Sequence, residues 1–255
     1  VSASPGVYTT YAVSAGVSAY GSGGAVGLAA ESVSGTAGQC VAVSSYAEAV
    51  AAFGGGAMTE LARVLLLNGA PVIYCSRVGE GGYDAAFAAL MGERAVKYMV
   101  CSSRDAAVHA RLKAAIEGAD EQGKYRIGLV ESSLTERSAL ISAAQALGSE
   151  RMVLVSHHET QGTAGSAAAA LCGVLASRDD PALPVNGAAL RGLGGIGANF
   201  SDADITLLVR GGVTPLESVS GEISVIRGIT TRSTSGGVPD ATWRELSTIL
   251  VVNSV

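Results

Sequence analysis

Residues 126–155, RIGLVESSLTERSALISAAQALGSERMVLV, decide the fold. The stretch opens on a short apolar run, Arg126-Ile127-Gly128-Leu129-Val130, of strand length. Thr135 is placed to cap a helix on which Leu140, Ile141, Ala144 and Leu147 share one face, and Gly148 marks its end. A second apolar run, Met152-Val153-Leu154-Val155, follows. Neither run alternates between apolar and polar residues, as strands covered on both faces do not. Two such strands joined by a helix form a right-handed crossover in a parallel sheet.

The alternation extends both ways. Toward the N-terminus, Pro71-Val72-Ile73-Tyr74-Cys75 reads as a strand and Tyr83 to Met91 as a helix. Val96-Lys97-Tyr98-Met99-Val100 is a further strand, and Asp105 to Glu117 a helix with Val108, Leu112 and Ile116 on one face. Toward the C-terminus, Ala164 to Ser177 is an Ala-rich helix. The expectation is an α/β fold, a mostly parallel sheet flanked by helices.

Both ends depart from this texture. Val7-Tyr8-Thr9-Thr10-Tyr11-Ala12-Val13 follows Pro5-Gly6 and is rich in β-branched and aromatic residues, so it reads as an extended strand. The Gly/Ser/Ala segment from Ser18 to Gly27 reads as a flexible leash, with Gly21, Gly23, Gly24 and Gly27 as hinge positions. Past Pro181, Ser201 caps a helix with Asp204 in its first turn, and the helix ends near Gly211-Gly212. Thr214 to Val219 and Glu222 to Arg227 flank a hairpin turn at Ser220-Gly221, and Thr242 to Ile249 around Trp243 reads as a helix. The expected organisation is an extended N-terminal β arm and leash (1–30), an α/β core (31–200) and a C-terminal helix and β-hairpin region (201–255).

Composition narrows the function. Hydrophobic residues make up 48% and charged residues 15%, a thinly charged surface that suits packing against copies of the same chain. The net charge is -5 and no Lys/Arg cluster tracks along the sequence, which argues against a nucleic-acid partner. Cys40, Cys75, Cys101 and Cys172 include no C-x-x-C pair, and Cys75 and Cys101, in apolar strand-like runs, read as buried reduced thiols made in a cytosol. No secretory signal pattern opens the sequence, and the small-apolar stretch Ala167 to Ala176 is far short of the roughly 20 residues a membrane helix needs.

Sites of chemistry are few. His109 is expected on the polar side of its helix. His157-His158-Glu159 follows a strand, where α/β sites form. Adjacent histidines on an extended segment point opposite ways and do not converge on one metal. A hydrolase with His157 or His158 as base is the competing reading, without a G-x-S-x-G elbow. Gly192-Leu193-Gly194-Gly195-Ile196-Gly197 lacks the preceding strand of a dinucleotide fingerprint, and no P-loop occurs. No cofactor or metal is expected.

The order of motifs resembles the phage tail sheath family, whose core is termed subtilisin-like for its topology. Pro5-Gly6-Val7-Tyr8 is similar to the family's opening strand. Asn68-Gly69-Ala70-Pro71-Val72-Ile73-Tyr74 with Arg77-Val78 resembles its next segment. Ala168 to Ala176, Asp179-Asp180-Pro181, Pro184-Val185-Asn186 and Leu190 follow in order. Leu207-Leu208, Gly212-Val213, Arg227-Gly228-Ile229-Thr230-Thr231 and Asp240, Trp243, Glu245-Leu246 complete the set. The sequence stops at Val255, where the family continues into a C-terminal arm, as a truncated or a short variant would.

The resemblance implies a structural subunit, not an enzyme, of a contractile tail sheath in a phage, tailocin or other injection particle. It implies a helical homopolymer or stacked hexameric rings around an inner tail tube protein, with baseplate and tail terminator as further partners. Contraction then drives the tube through a target cell envelope without membrane insertion by the sheath. The particle is assembled in the bacterial host cytoplasm. Val7, Tyr8, Thr9, Thr10, Tyr11 and Val13 are the expected strand-exchange residues. Arg227, Gly228, Thr230 and Thr231 are family-like without an assigned mechanism, and Arg227 is expected to pair with Asp202 or Asp204 or to face a neighbour. Another tail or baseplate-proximal component on a related scaffold is the alternative.

Overall fold

The computed structural model describes residues 24–121, 123–160 and 162–254, the side chains of 158–160 excepted. The strands in chain order are β1 (Ala25–Ala30), β2 (Cys40–Val43), β3 (Ile73–Arg77), β4 (Val96–Cys101), β5 (Ile127–Glu131), β6 (Met152–Ser156), β7 (His158–Thr160), β8 (Ala189–Leu190), β9 (Ile196–Ala198), β10 (Val213–Val219) and β11 (Glu222–Val225), then the small pair β12 (Thr234–Ser235) and β13 (Val238–Pro239). The helices are α1 (Tyr46–Phe53), α2 (Ala57–Leu67), α3 (Gly82–Gly92), α4 (Ala106–Asp120), α5 (Arg137–Leu147), α6 (Ser166–Ala176), α7 (Asp202–Arg210) and α8 (Leu246–Val252).

Among the described residues the main sheet has nine strands in the order β2-β3-β1-β4-β5-β6-β10-β11-β8. The six from β3 to β10 are parallel, while β2, β11 and β8 add antiparallel edges. The parallel strands are apolar because helices cover both faces. Leu61 and Leu65 of α2 and the buried run Ala167–Cys172 of α6 pack on Val26, Leu28, Ile73 and Val100. On the other face Phe87, Leu112, Leu140 and Leu208, from α3, α4, α5 and α7, pack on Ala29, Met99 and Leu154. The Ala-rich face of α6 lets it approach α2 closely: a Cβ on Gly173 would lie 2.6 Å from the Leu65 carbonyl oxygen.

One expectation changes. The stretch Ala25–Ala30 is not leash but an interior strand of the sheet, paired to β3 and β4 and buried along its whole length. Its small residues are packing residues: a Cβ on Gly27 would lie 2.5 Å from Met99 Sδ. The 201–255 region, read in sequence as continuous with the core, packs with it: β10 joins β6 in the same sheet, and Leu246 and Ile249 share the core with Val26 and Leu28. Smaller shifts also occur. Glu136, not Thr135, stands at the N-cap of α5, and the helix near Trp243 begins only at Leu246.

Candidate functional site

Open α/β sheets form their sites beyond the C-terminal ends of the strands, where the connections diverge. That place lies between β1 and β4, because the chain leaves β1 toward β3 and β4 toward β5. Glu131, the last residue of β5, is fully buried close to it. Arg104 Nε and Nη2 approach Glu131 Oε1 at 2.6 and 2.5 Å. The Ala167 backbone N–H, at the start of α6, donates to Oε2 at 2.7 Å. His157 is also buried, with Nε2 3.6 Å from Oε1.

Burial pushes the Glu131 carboxyl pKa up, but the His157 hydrogen bond, the Arg104 charge and the Ala167 N–H outweigh it and hold the group below its ordinary value. A buried carboxylate with these partners acts as a strut between the β4–α4 loop, β5, β6 and the N-terminus of α6. The sequence reading singled out His157 and missed Glu131 and Arg104. An acid directly ending a wholly apolar strand was the available signal.

His109 corrects the expectation of exposure. It is buried, its Nε2 lies 2.9 Å from the Ser103 carbonyl oxygen, and desolvation lowers its pKa. His109, Leu112 and Ile116 are spaced three and four apart, so the core face of α4 includes the histidine. Among the described residues no group of His, Cys, Asp and Glu could hold a metal ion, and no helix is long and apolar enough to cross a membrane. Burial pushes the Cys40 and Cys101 thiols up to about 11 and about 12, and all four cysteines are reduced.

The segment from Arg227 to Thr231 acquires a mechanism. Arg227 pairs with Glu245 (Nη2 to Oε1 2.6 Å), not with Asp202 or Asp204; Asp204 is engaged by Arg137. Gly228 admits Val185, whose Cγ2 would lie 2.2 Å from a Cβ there. Thr230 Oγ1 donates to the Trp243 carbonyl, and Thr231 Oγ1 donates to the Ser149 carbonyl while accepting from the Ser149 N–H. Thr214 makes the same two-way bond with the backbone of Ile229. Asn68 does similar work, holding Val64 and, far along the chain, both backbone groups of Arg191. These residues lace distant loops of one chain together.

Among the described residues the sheet also has an open edge. β2 pairs with β3 on one side and is the terminal strand of the sheet, with Val41 and Ala42 exposed. At the far end the terminal strand β8 is only two residues long. Gly24 immediately precedes β1 with φ +41°, and a Cβ on it would strike the Lys97 side chain. The strand-exchange residues Val7, Tyr8, Thr9, Thr10, Tyr11 and Val13, and the hinge positions Gly21 and Gly23, lie outside the described residues.

A buried charge used as a strut, motif residues used as lacing and an open sheet edge define a structural α/β module. Residues 77–231, more than half the chain, match the model of the phage tail sheath protein central domain. The chain belongs to the phage tail sheath protein family and is a tail sheath subunit. Among curated proteins no relative matches. The fold is similar to that of the sheath tail protein of Desulfitobacterium hafniense (TM-score 0.73, 13% identity, covering 90% of this chain and 77% of that one). It is also similar to the sheath tail protein of Listeria innocua (0.71, 12%, 90% and 74%) and to the anti-feeding prophage helical sheath in its contracted state (0.69, 16%, 99% and 74%).

Proposed function

We propose that this sheath subunit polymerises with copies of itself, as a helix or stacked hexameric rings, around an inner tail tube. Attached to a baseplate and a tail terminator, the polymer contracts to drive the tube through a target envelope. The observation that carries this reading is the edge at Cys40–Val43, open among the described residues, in a chain of this family. A strand from a neighbouring subunit satisfies such an edge by main-chain hydrogen bonds. The segment Val7-Tyr8-Thr9-Thr10-Tyr11-Ala12-Val13 has the composition of that donor. A contact of this kind is heterologous, so it propagates as a filament.

Catalysis is not part of this function. The Glu131 carboxylate is held by Arg104, His157 and the N-terminus of α6, an arrangement suited to rigidity. A rigid body is what a switch between two lattice packings requires. The subunit acts in the tail of a virion or injection particle, assembled in the host cytoplasm.

Negative-stain electron microscopy of the purified protein, alone and with its inner tube, tests the reading. Hollow tubes or rings are expected, and fewer of them when proline replaces Ser22 and Gly23. Dispersed monomers at every concentration, with and without the tube, would overturn it.

A further inference from the structure

A cavity of about 640 Å³ opens at the N-terminal ends of β4 and β5, the sheet edge opposite the Glu131 strut. Its walls include Tyr98, Leu175 and Leu250. Five cations line it (Arg94, Lys97, Lys124, Arg126 and Arg178) against two carboxylates, Asp179 and Asp180. That local excess stands out in a chain whose net charge is -5. Arg126 is 1% exposed. Its Nε and Nη2 donate to the carbonyls of Val96, Met91 and Glu93, and Nη1 has no hydrogen-bond partner among the described residues. A desolvated guanidinium held only by carbonyl dipoles leaves its charge uncompensated and adds to the positive field of the cavity.

The complementary shape lies at the other edge of the molecule. β10 runs parallel to β6 and continues past it, so the β10–β11 turn projects beyond the C-terminal ends of the strands. The turn residues Ser220 and Gly221 have φ of 53° and 84°, a tight two-residue turn that fixes the tip. The tip presents Val219, 58% exposed, between Glu217 and Glu222. An apolar side chain flanked by carboxylates matches a cavity with apolar walls and a cationic rim.

We infer that the β10–β11 tip of one subunit docks in the Arg126 cavity of a second copy, with Val219 against the Leu175/Leu250 wall and Glu222 facing Lys124 at the exposed rim. The inference rests on the self-assembly proposed above and adds to it a head-to-tail contact. Because the two surfaces lie on opposite edges of one sheet, each docked copy leaves one tip and one cavity open, and the contact propagates.

The test is a charge swap, with assembly followed by sedimentation and folding checked by thermal denaturation. Lys124→Glu and Glu222→Lys are each expected to raise the concentration needed for polymer by about tenfold with unchanged melting. The double variant is expected to recover most of that loss, because the swapped charges again attract. Single variants that polymerise like wild type, or a double variant as defective as the two losses combined, would overturn the inference and leave the sheath reading standing. If wild type forms no polymer, the self-assembly proposed above fails, and a second measurement still decides this one. A cyclised peptide of residues 216–225 is titrated into the monomer. Saturable binding that is lost in Lys124→Glu supports the docking, and no binding overturns it.

Discussion

The two ends of β5 carry buried charges that are treated in opposite ways. Glu131 closes the strand with a guanidinium, a histidine and a helix N-terminus gathered on its two oxygens. Arg126, just before the strand, is equally buried but, among the described residues, meets three carbonyls and no carboxylate. A charge neutralised inside one chain ties that chain together, whereas a charge left in excess at a cavity has attraction to offer another body. The C-terminal end of β5 is thus built for rigidity, and its N-terminal end lines the cationic cavity that the proposed contact uses.

The largest expected effect removes the neutralisation at Glu131. Arg104→Ala leaves the buried carboxylate short of its main cation and should destabilise the monomer by about 3–5 kcal/mol in denaturant unfolding. A loss under ~1 kcal/mol would mean that the strut is not a strut. Arg126→Met, which keeps the stem, should cost less, about 1–3 kcal/mol. It strands the carbonyls of Met91, Glu93 and Val96 but also removes a desolvated charge. A larger loss than for Arg104→Ala would reverse the contrast between the two ends.

Acid sharpens the same contrast. The Glu131 pKa is lowered on folding from the usual 4.5, so its contribution is fully present above that pH and is lost as pH falls through the folded value. His109 is lowered from 6.5, so its unfolded form takes up a proton first, and stability declines as pH drops below 6.5. The melting temperature should therefore fall in two stages, one below 6.5 and one below 4.5. The first stage should be absent in His109→Gln. The smallest effect is at the cavity rim, where Lys124→Glu should change monomer stability by no more than about 0.5 kcal/mol.

Much of the fold was legible because β3 to β6 and their helices are apolar runs separated by capping and turn residues. Ser201 caps α7 through the Asp204 N–H, and Gly148 ends α5 in the left-handed region, both as their types predict. Ala25–Ala30 was misread because small residues look like linker when their packing partners, such as Met99 beside Gly27, lie far along the chain. Thr231 and Asn68 gave no mechanism in sequence for the same reason: the backbone they hold is 82 and 123 residues away. The cation excess at the cavity was invisible because Arg94, Lys124 and Arg178 converge only after folding.

Amide hydrogen exchange on the same protein as monomer and as polymer tests the central claim, self-assembly through an open sheet edge, most directly. The account predicts that amides of Cys40–Val43 exchange much more slowly in the polymer, while Met152–Ser156, already inside the sheet, change little. Equal exchange at Cys40–Val43 in both states would contradict it.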